Sequence, residues 1–198
     1  LIEDYSNLFE FAIHPNFNPF FENSSKKDIK NILNELLQII PNCLGVRSHS
    51  HVTSSQIIST YETLSLKYDS NIFAFNENNL KPLLYSKNFV RIPHFFQDDA
   101  HFLRNMPMEM NSLSYNTDGL KVFDFHPIHI FLNTKDINQY NIAKQHYSNP
   151  KLLKDYVNNN SKGILDLYEE VLGFFEKKNT STLIEIARSY LNPNNIEK

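Results

Sequence analysis

Several things are scarce in this sequence, and each shortage removes a class of protein. The 198 residues include one cysteine, Cys43. No intrachain disulfide can form, and the composition fits a reducing compartment. No apolar run approaches the ~20 residues needed to span a bilayer. There is no excess of positive charge: the formal net charge is -3 and the pI near 6.2, which gives a nucleic acid no reason to bind. Glycine is rare beside abundant asparagine, a bias of base composition with little functional weight. There is no internal repeat, and no low-complexity stretch beyond the Asn tracts. The opening Leu1-Ile2-Glu3-Asp4 carries no basic n-region and no cleavage site. It reads as the remainder of a longer chain, and the expected location is cytoplasmic.

What is present is enough for one domain with a substantial core. Hydrophobic residues make up 41% and aromatics 13%, as in globular chains. Leu8–Ile13 reads as a short strand that delivers His14-Pro15-Asn16-Phe17-Asn18-Pro19, a loop by its two prolines. After Asn23-Ser24-Ser25, apolar residues at Ile29, Ile32, Leu33, Leu36, Leu37 and Ile40 predict an amphipathic helix stopped by Pro41. Cys43–Val46 predicts a second strand, followed by Arg47-Ser48-His49-Ser50-His51. Thr53 or Ser54 caps a helix through Leu66. Tyr68–Phe73 and Phe89–Ile92 predict two more strands, the latter followed by a loop from His94 to His101. Beyond Asn133 the patterns are helical: Ile137–Tyr147, Leu152–Val157, Ile164–Phe175 and Leu183–Leu191. Strands alternating with helices predict α/β architecture with parallel strands. The expected organisation is an α/β domain over 1–134, with 135–198 a helical extension packed on it.

The run Val122-Phe123-Asp124-Phe125-His126-Pro127-Ile128-His129-Ile130-Phe131-Leu132 completes the strands. A carboxylate beside imidazoles in apolar surroundings must hydrogen-bond, bind a metal or face a wet cleft. Pro127 ends the ladder and leaves His126 at the strand tip. Seven of the eight histidines fall in four short segments at predicted strand ends: His14; His49 and His51; His94 and His101; His126 and His129. In a parallel sheet those ends share one edge, so the imidazoles converge with carboxylates nearby, as a metal or acid–base site requires. An extended His49-Ser50-His51 would place both rings on one face. Phe17, Phe95 and Phe96 are candidates to stack on sugar rings, or core.

Taken together, His14-Pro15-Asn16-Phe17-Asn18, Arg47-Ser48-His49-Ser50, Arg91-Ile92-Pro93 and Phe125-His126-Pro127-Ile128-His129 resemble the polysaccharide deacetylase (NodB-like, carbohydrate esterase family 4-related) superfamily. The likeness is to its WbmS-type branch, found with surface-polysaccharide gene sets, and covers most of residues 8–134. It implies an incomplete (β/α) barrel and a divalent metal, usually zinc, held by one Asp and two His. The family's first strand carries the Asp ligand and a catalytic-base Asp; no matching string precedes His14, so that strand is expected to be missing. The family's His-x-x-x-His pair falls on His14 and Asn18, with His49, and beside it His51, able to supply a further nitrogen. Arg47 matches the arginine that orients a catalytic carboxylate. His126 matches the general acid, with Asp98 or Asp99, after Arg91, as its carboxylate partner; Asp124 competes for that place. His129 has no general counterpart and is grouped with Phe95 and Phe96 as a substrate-contact candidate. The expected activity is removal of an N-acetyl group from an acetamido sugar of a surface polysaccharide or its precursor. The alternatives are an inactive carbohydrate-binding relative, or a metal hydrolase acting on another amide or a phosphoester.

Overall fold

A computed structural model describes residues 2–5, 8–22, 28–176 and 178–192; the Asn23-Ser24-Ser25 break and Leu1 lie outside them. Among the described residues six strands run, in chain order, β1 (Gly45–Val46), β2 (Tyr68–Asp69), β3 (Leu83–Ser86), β4 (Phe89–Arg91), β5 (Phe96–Gln97) and β6 (Phe123–Asp124). The chain divides into two compact units, residues 1–73, 81–93 and 181–198 in the first and 74–80 and 94–180 in the second.

In the first unit the sheet order is β1-β2-β4-β3. β1, β2 and β4 are parallel, and β3 joins β4 antiparallel. The predicted strand Leu8–Ile13 is reduced to a single bridge, Ile13 to Val46. Leu8 and Phe9 are 67% and 63% exposed, so no buried face drives pairing there, and Pro15 has no N–H to extend it. The helix Ile29–Ile39 forms as its periodicity dictates, with the Asp28 side chain accepting from the Asn31 N–H. Ser54, rather than Thr53, caps Ser55–Thr63. Ile29, Leu33, Ile57, Ile58 and Tyr61 meet Ile13, Val46 and Phe89 in one core. Gly45 is required by close packing, because a Cβ there would overlap the Tyr68 ring. The helix Leu183–Leu191 packs on β2 and β4, and its Ile184 N–H bonds Glu10, which also accepts from the Tyr68 hydroxyl. The antiparallel β3 carries Leu83, Leu84 and Tyr85 about half exposed; lacking a buried face, it has no alternation to announce it.

In the second unit β5 and β6 pair in parallel, Phe96 opposite Phe123 and Gln97 opposite Asp124. The predicted His94–His101 loop is therefore a strand followed by the helix Asp98–Leu103. The apolar run after His126 turns into the helix Pro127–Leu132, with Pro127 in its first turn, where a missing N–H costs nothing. Phe95, Phe96, Met110, Leu113, Leu167 and Val171 form the core. The helices Ile137–Lys144 and Ile164–Phe175 follow the predicted patterns, the first in shorter form. In place of the predicted Leu152–Val157 helix there is a turn of helix at Pro150–Leu153 and a 3-10 turn at Lys154–Tyr156.

Candidate active site

Each unit delivers chemistry from the carboxyl ends of its parallel strands. In the first, Ile13, β1, β2 and β4 all run the same way, so His14, Arg47 to His51, Ser70 to Asn71, and Ile92 leave from one edge. The His14 and His49 rings stand edge to face with centroids 5.8 Å apart, and both residues are exposed. The His49 N–H donates to the Pro15 carbonyl, tying the two loops together. Two imidazoles on one tetrahedral zinc, with Zn–N bonds of about 2.0–2.1 Å, have ring centres about 5–6 Å apart. The spacing of the His14 and His49 rings falls within that range. Asn18 begins the short helix Asn18–Phe21, its N–H bonded to the Asn16 side chain.

The expected extended His49-Ser50-His51 does not form. Ser50 and His51 adopt φ of 55° and 52°, so the segment is a tight turn. His49 faces His14, whereas the His51 ring lies 6.3 Å from that of Phe73. A buried polar network holds this turn. Asn71 Oδ1 accepts from the Ser48 N–H at 2.8 Å and from its hydroxyl at 3.2 Å, and the same hydroxyl reaches the Val52 carbonyl. Arg47 donates to the Ser70 carbonyl and hydroxyl. Arg91 Nε is 3.1 Å from both oxygens of Asp69, a carboxylate with no exposure. Burial pushes the Asp69 carboxyl up, and Arg91 opposes that. Asp69 thus emerges as the partner of Arg91, a pairing foreshadowed only by its place as a lone carboxylate within an apolar strand.

The second unit contains the clearest acid–base geometry. Asp98 follows β5 directly and His126 lies two residues beyond β6, so parallel pairing brings them to the same end. His126 Nδ1 is 2.6 Å from Asp98 Oδ1. The His126 backbone N–H donates to Asp98 Oδ2, also at 2.6 Å, and the Asp99 N–H donates to Oδ1 at 2.8 Å. Asp98 is fully buried while the His126 side chain is 41% exposed. The Asp98 bond raises the His126 pKa from 6.5 to about 9, with Asp124 and Asp99 adding smaller attractions. Burial pushes the Asp98 carboxyl up against the pull of its three donors. A buried oxyanion with three donors and an adjoining imidazole is best described as a carboxylate–imidazolium pair. Of the three candidate partners, Asp98 is the one bonded to the ring; the Asp99 carboxylate accepts from the Ala100 N–H instead.

Asp98, His126 and His129 also bring ligand atoms within 4.8 Å of one another. The 2.6 Å Asp98–His126 separation is shorter than the roughly 3.3 Å between two donors on one zinc. It is a proton-sharing distance. Phe95 and Phe96 are fully buried among Phe123, Phe125 and Lys121, as is Phe17 in the first unit. These rings have no face to offer a sugar; the apolar side of each strand is drawn into the core. His129 is 3% exposed and bonds Thr134 through Nδ1, so it too is withdrawn from direct substrate contact.

These features define an α/β protein similar in structure to polysaccharide deacetylases. The sequence model of the WbmS-like polysaccharide deacetylase family matches residues 2–144. A crystal structure of a candidate polysaccharide deacetylase involved in O-antigen biosynthesis, WbmS from Bordetella bronchiseptica, aligns with a TM-score of 0.79 at 30% identity. The alignment covers 88% of this chain and 74% of that one. No curated protein sequence matches. The chain belongs to the WbmS-like polysaccharide deacetylase family. Among the described residues no helix is long and apolar enough to cross a membrane.

Proposed function

We propose that the chain is a metal-dependent N-deacetylase that removes the acetyl group from an acetamido sugar of a surface polysaccharide or its precursor. The observation that carries this reading is the Asp98–His126 pair, in a chain of this family. Amide hydrolysis requires a proton for a poor amine leaving group. His126 gives Nδ1 to Asp98 and keeps the ring partly open to solvent, so Nε2–H is the proton available to the substrate nitrogen. Asp98 keeps that imidazole charged at neutral pH and fixes its orientation through two contacts, one to the ring and one to the backbone. His14 and His49 would hold the divalent metal, with zinc the expected ion. When bound, such an ion supplies carbonyl polarisation and a water acidic enough to attack at neutral pH.

The test is acetate release from N-acetylated glycans by the zinc-loaded protein, alongside metal analysis. The expected result is bound zinc, acetate as product, loss of release on His126→Ala with metal retained, and loss of metal on His14→Ala or His49→Ala. Glycan binding without acetate release would overturn the reading in favour of a non-catalytic relative, and phosphate release in favour of another hydrolase.

A further inference from the structure

His129 is buried, bonded and unused by the chemistry above, and its surroundings form a continuous support behind the acid. His126 occupies the N-cap of the helix Pro127–Leu132 and His129 its third position, a spacing that stacks two side chains over one helix end. Their rings meet at 5.6 Å between centroids and 76° between planes. The far sides of His129 are closed by Phe102 at 4.9 Å and Tyr140 at 4.7 Å. Thr134, fully buried, holds His129 twice. Its N–H donates to the His129 carbonyl at 3.0 Å, and its hydroxyl oxygen lies 3.1 Å from His129 Nδ1.

Thr134 is in turn clamped from the segment 158–166. The Ile164 N–H donates to the Thr134 carbonyl. The neighbouring Asn133, left-handed at φ 45°, gives its amide to Asp166 at 2.9 Å and to the Asn158 carbonyl at 3.2 Å. It also accepts from the Leu165 N–H and from the Asn158 amide. Gly163 lies so close to Asn133 that any Cβ there would overlap it. Asp166 caps Gly163 at the start of the helix Ile164–Phe175, which packs on Pro127–Leu132. The steps are bonds of 2.9–3.2 Å, buried at His129–Thr134 and Asn133–Asn158 and part-buried at Asp166 and Leu165, and a connected chain of this kind restricts the side chains it holds.

We infer that His129 is a positioning residue for His126, and that the 158–166 segment, beyond the family-matched region, sets the acid through Asn133, Thr134 and His129. His129 serves as a neutral wall: it stays uncharged because burial and the adjacent His126 cation both disfavour its protonation. It therefore holds the imidazolium against Asp98 without adding a competing charge. The groups facing His126 are Asp98, Asp99, Asp124 and His129; Asp98 bonds the ring at Nδ1 and His129 packs edge-on against it. This inference rests on His126 acting as the acid, as proposed above.

The experiment is histidine-labelled NMR titration of the full chain, with acetate release in parallel, for wild type, Thr134→Val, His129→Phe and Asp166→Ala. Thr134→Val keeps shape and removes only the hydroxyl bond. It is expected to lower the His126 midpoint measurably and to reduce kcat about three- to tenfold with KM changed less than twofold. Asp166→Ala is expected to move both readouts in the same direction by less. His129→Phe, which keeps an uncharged ring in the wall, is expected to retain more of kcat than Thr134→Val. Folded Thr134→Val and Asp166→Ala proteins with wild-type midpoint and kcat would overturn the inference. A wild-type His126 titrating near 6.5 would instead overturn the acid assignment itself.

Discussion

Replacing Asp98 with asparagine tests the acid pair with almost no change of shape. In the folded protein the His126 pKa rises from 6.5 to about 9, first through its bond to Asp98. At 1.36 kcal/mol per unit that shift is worth about 3 kcal/mol. Because the ring is 41% exposed, solvent screening reduces the contribution to about 1–2 kcal/mol. The folded pKa lies above the unfolded one, so this stability is fully present below about pH 6.5 and is lost as the pH rises through about 9. Wild type should therefore lose about 1–2 kcal/mol between those limits in urea unfolding, whereas Asp98→Asn should show no such slope. Its amide also turns one donor toward another, which costs a further ~1–3 kcal/mol at every pH. With the carboxylate gone, the His126 midpoint should return to about 6.5, since burial favours the neutral ring and only the smaller attractions of Asp124 and Asp99 remain. At pH 8 the protonated fraction would then fall from about nine-tenths to about three-hundredths. Acetate release at pH 8 should fall in about that proportion, with metal content unchanged. The assay is a His126 NMR titration beside a pH–rate profile. A folded Asp98→Asn protein whose His126 still titrates near 9 would refute the reasoning.

The other perturbations separate support from chemistry. Arg91→Ala leaves the fully buried Asp69 without its cation, and should cost about 3–5 kcal/mol in urea unfolding while leaving the His126 midpoint in place. Phe96→Ala should cost about 3–5 kcal/mol by cavity formation; glycan affinity of the folded fraction, measured by calorimetry, should be unchanged if the ring is core. Gly45→Ala forces a Cβ into the Tyr68 ring and should cost about 1–3 kcal/mol by overpacking, read from thermal unfolding.

Much of the α/β pattern was legible because burial leaves a period behind. Ile29 to Ile40 wrote a helix in steps of three and four, and Ile164–Phe175 and Leu183–Leu191 did the same. Parallel strand ends carrying His14, His49 and His126 were legible too, because a ladder stops where proline or a polar cluster begins. What failed did so for reasons of context. Leu8–Phe9 has strand chemistry but no partner to bury it. Phe96–Gln97 is too short for any alternation, so the pattern left Asp98 in a loop; its pairing with His126 was expected only from the family resemblance, which left Asp99 as an equal candidate. The left-handed turn at Ser50-His51 depends on Asn71, more than twenty residues away. Thr134 and the Asn133 clamp had no local signal at all, since each makes its case only through bonds to residues far along the chain.

The two units place the same device at their strand ends, and the difference between the copies is chemical. Each has a fully buried aspartate at the carboxyl edge of a parallel pair, Asp69 in one and Asp98 in the other. Asp69 is paired with Arg91, and a guanidinium is not a proton donor for acid–base chemistry near neutral pH; that pair braces a loop. Asp98 is neutralised by His126, whose proton is held firmly enough to be present at neutral pH and loosely enough to leave. The arginine side chain is 17% exposed and the histidine 41%, so the pair that can give up a proton is also the one with room for a substrate to collect it. On the proposed function, the choice of cation decides which buried carboxylate is structural and which serves the chemistry.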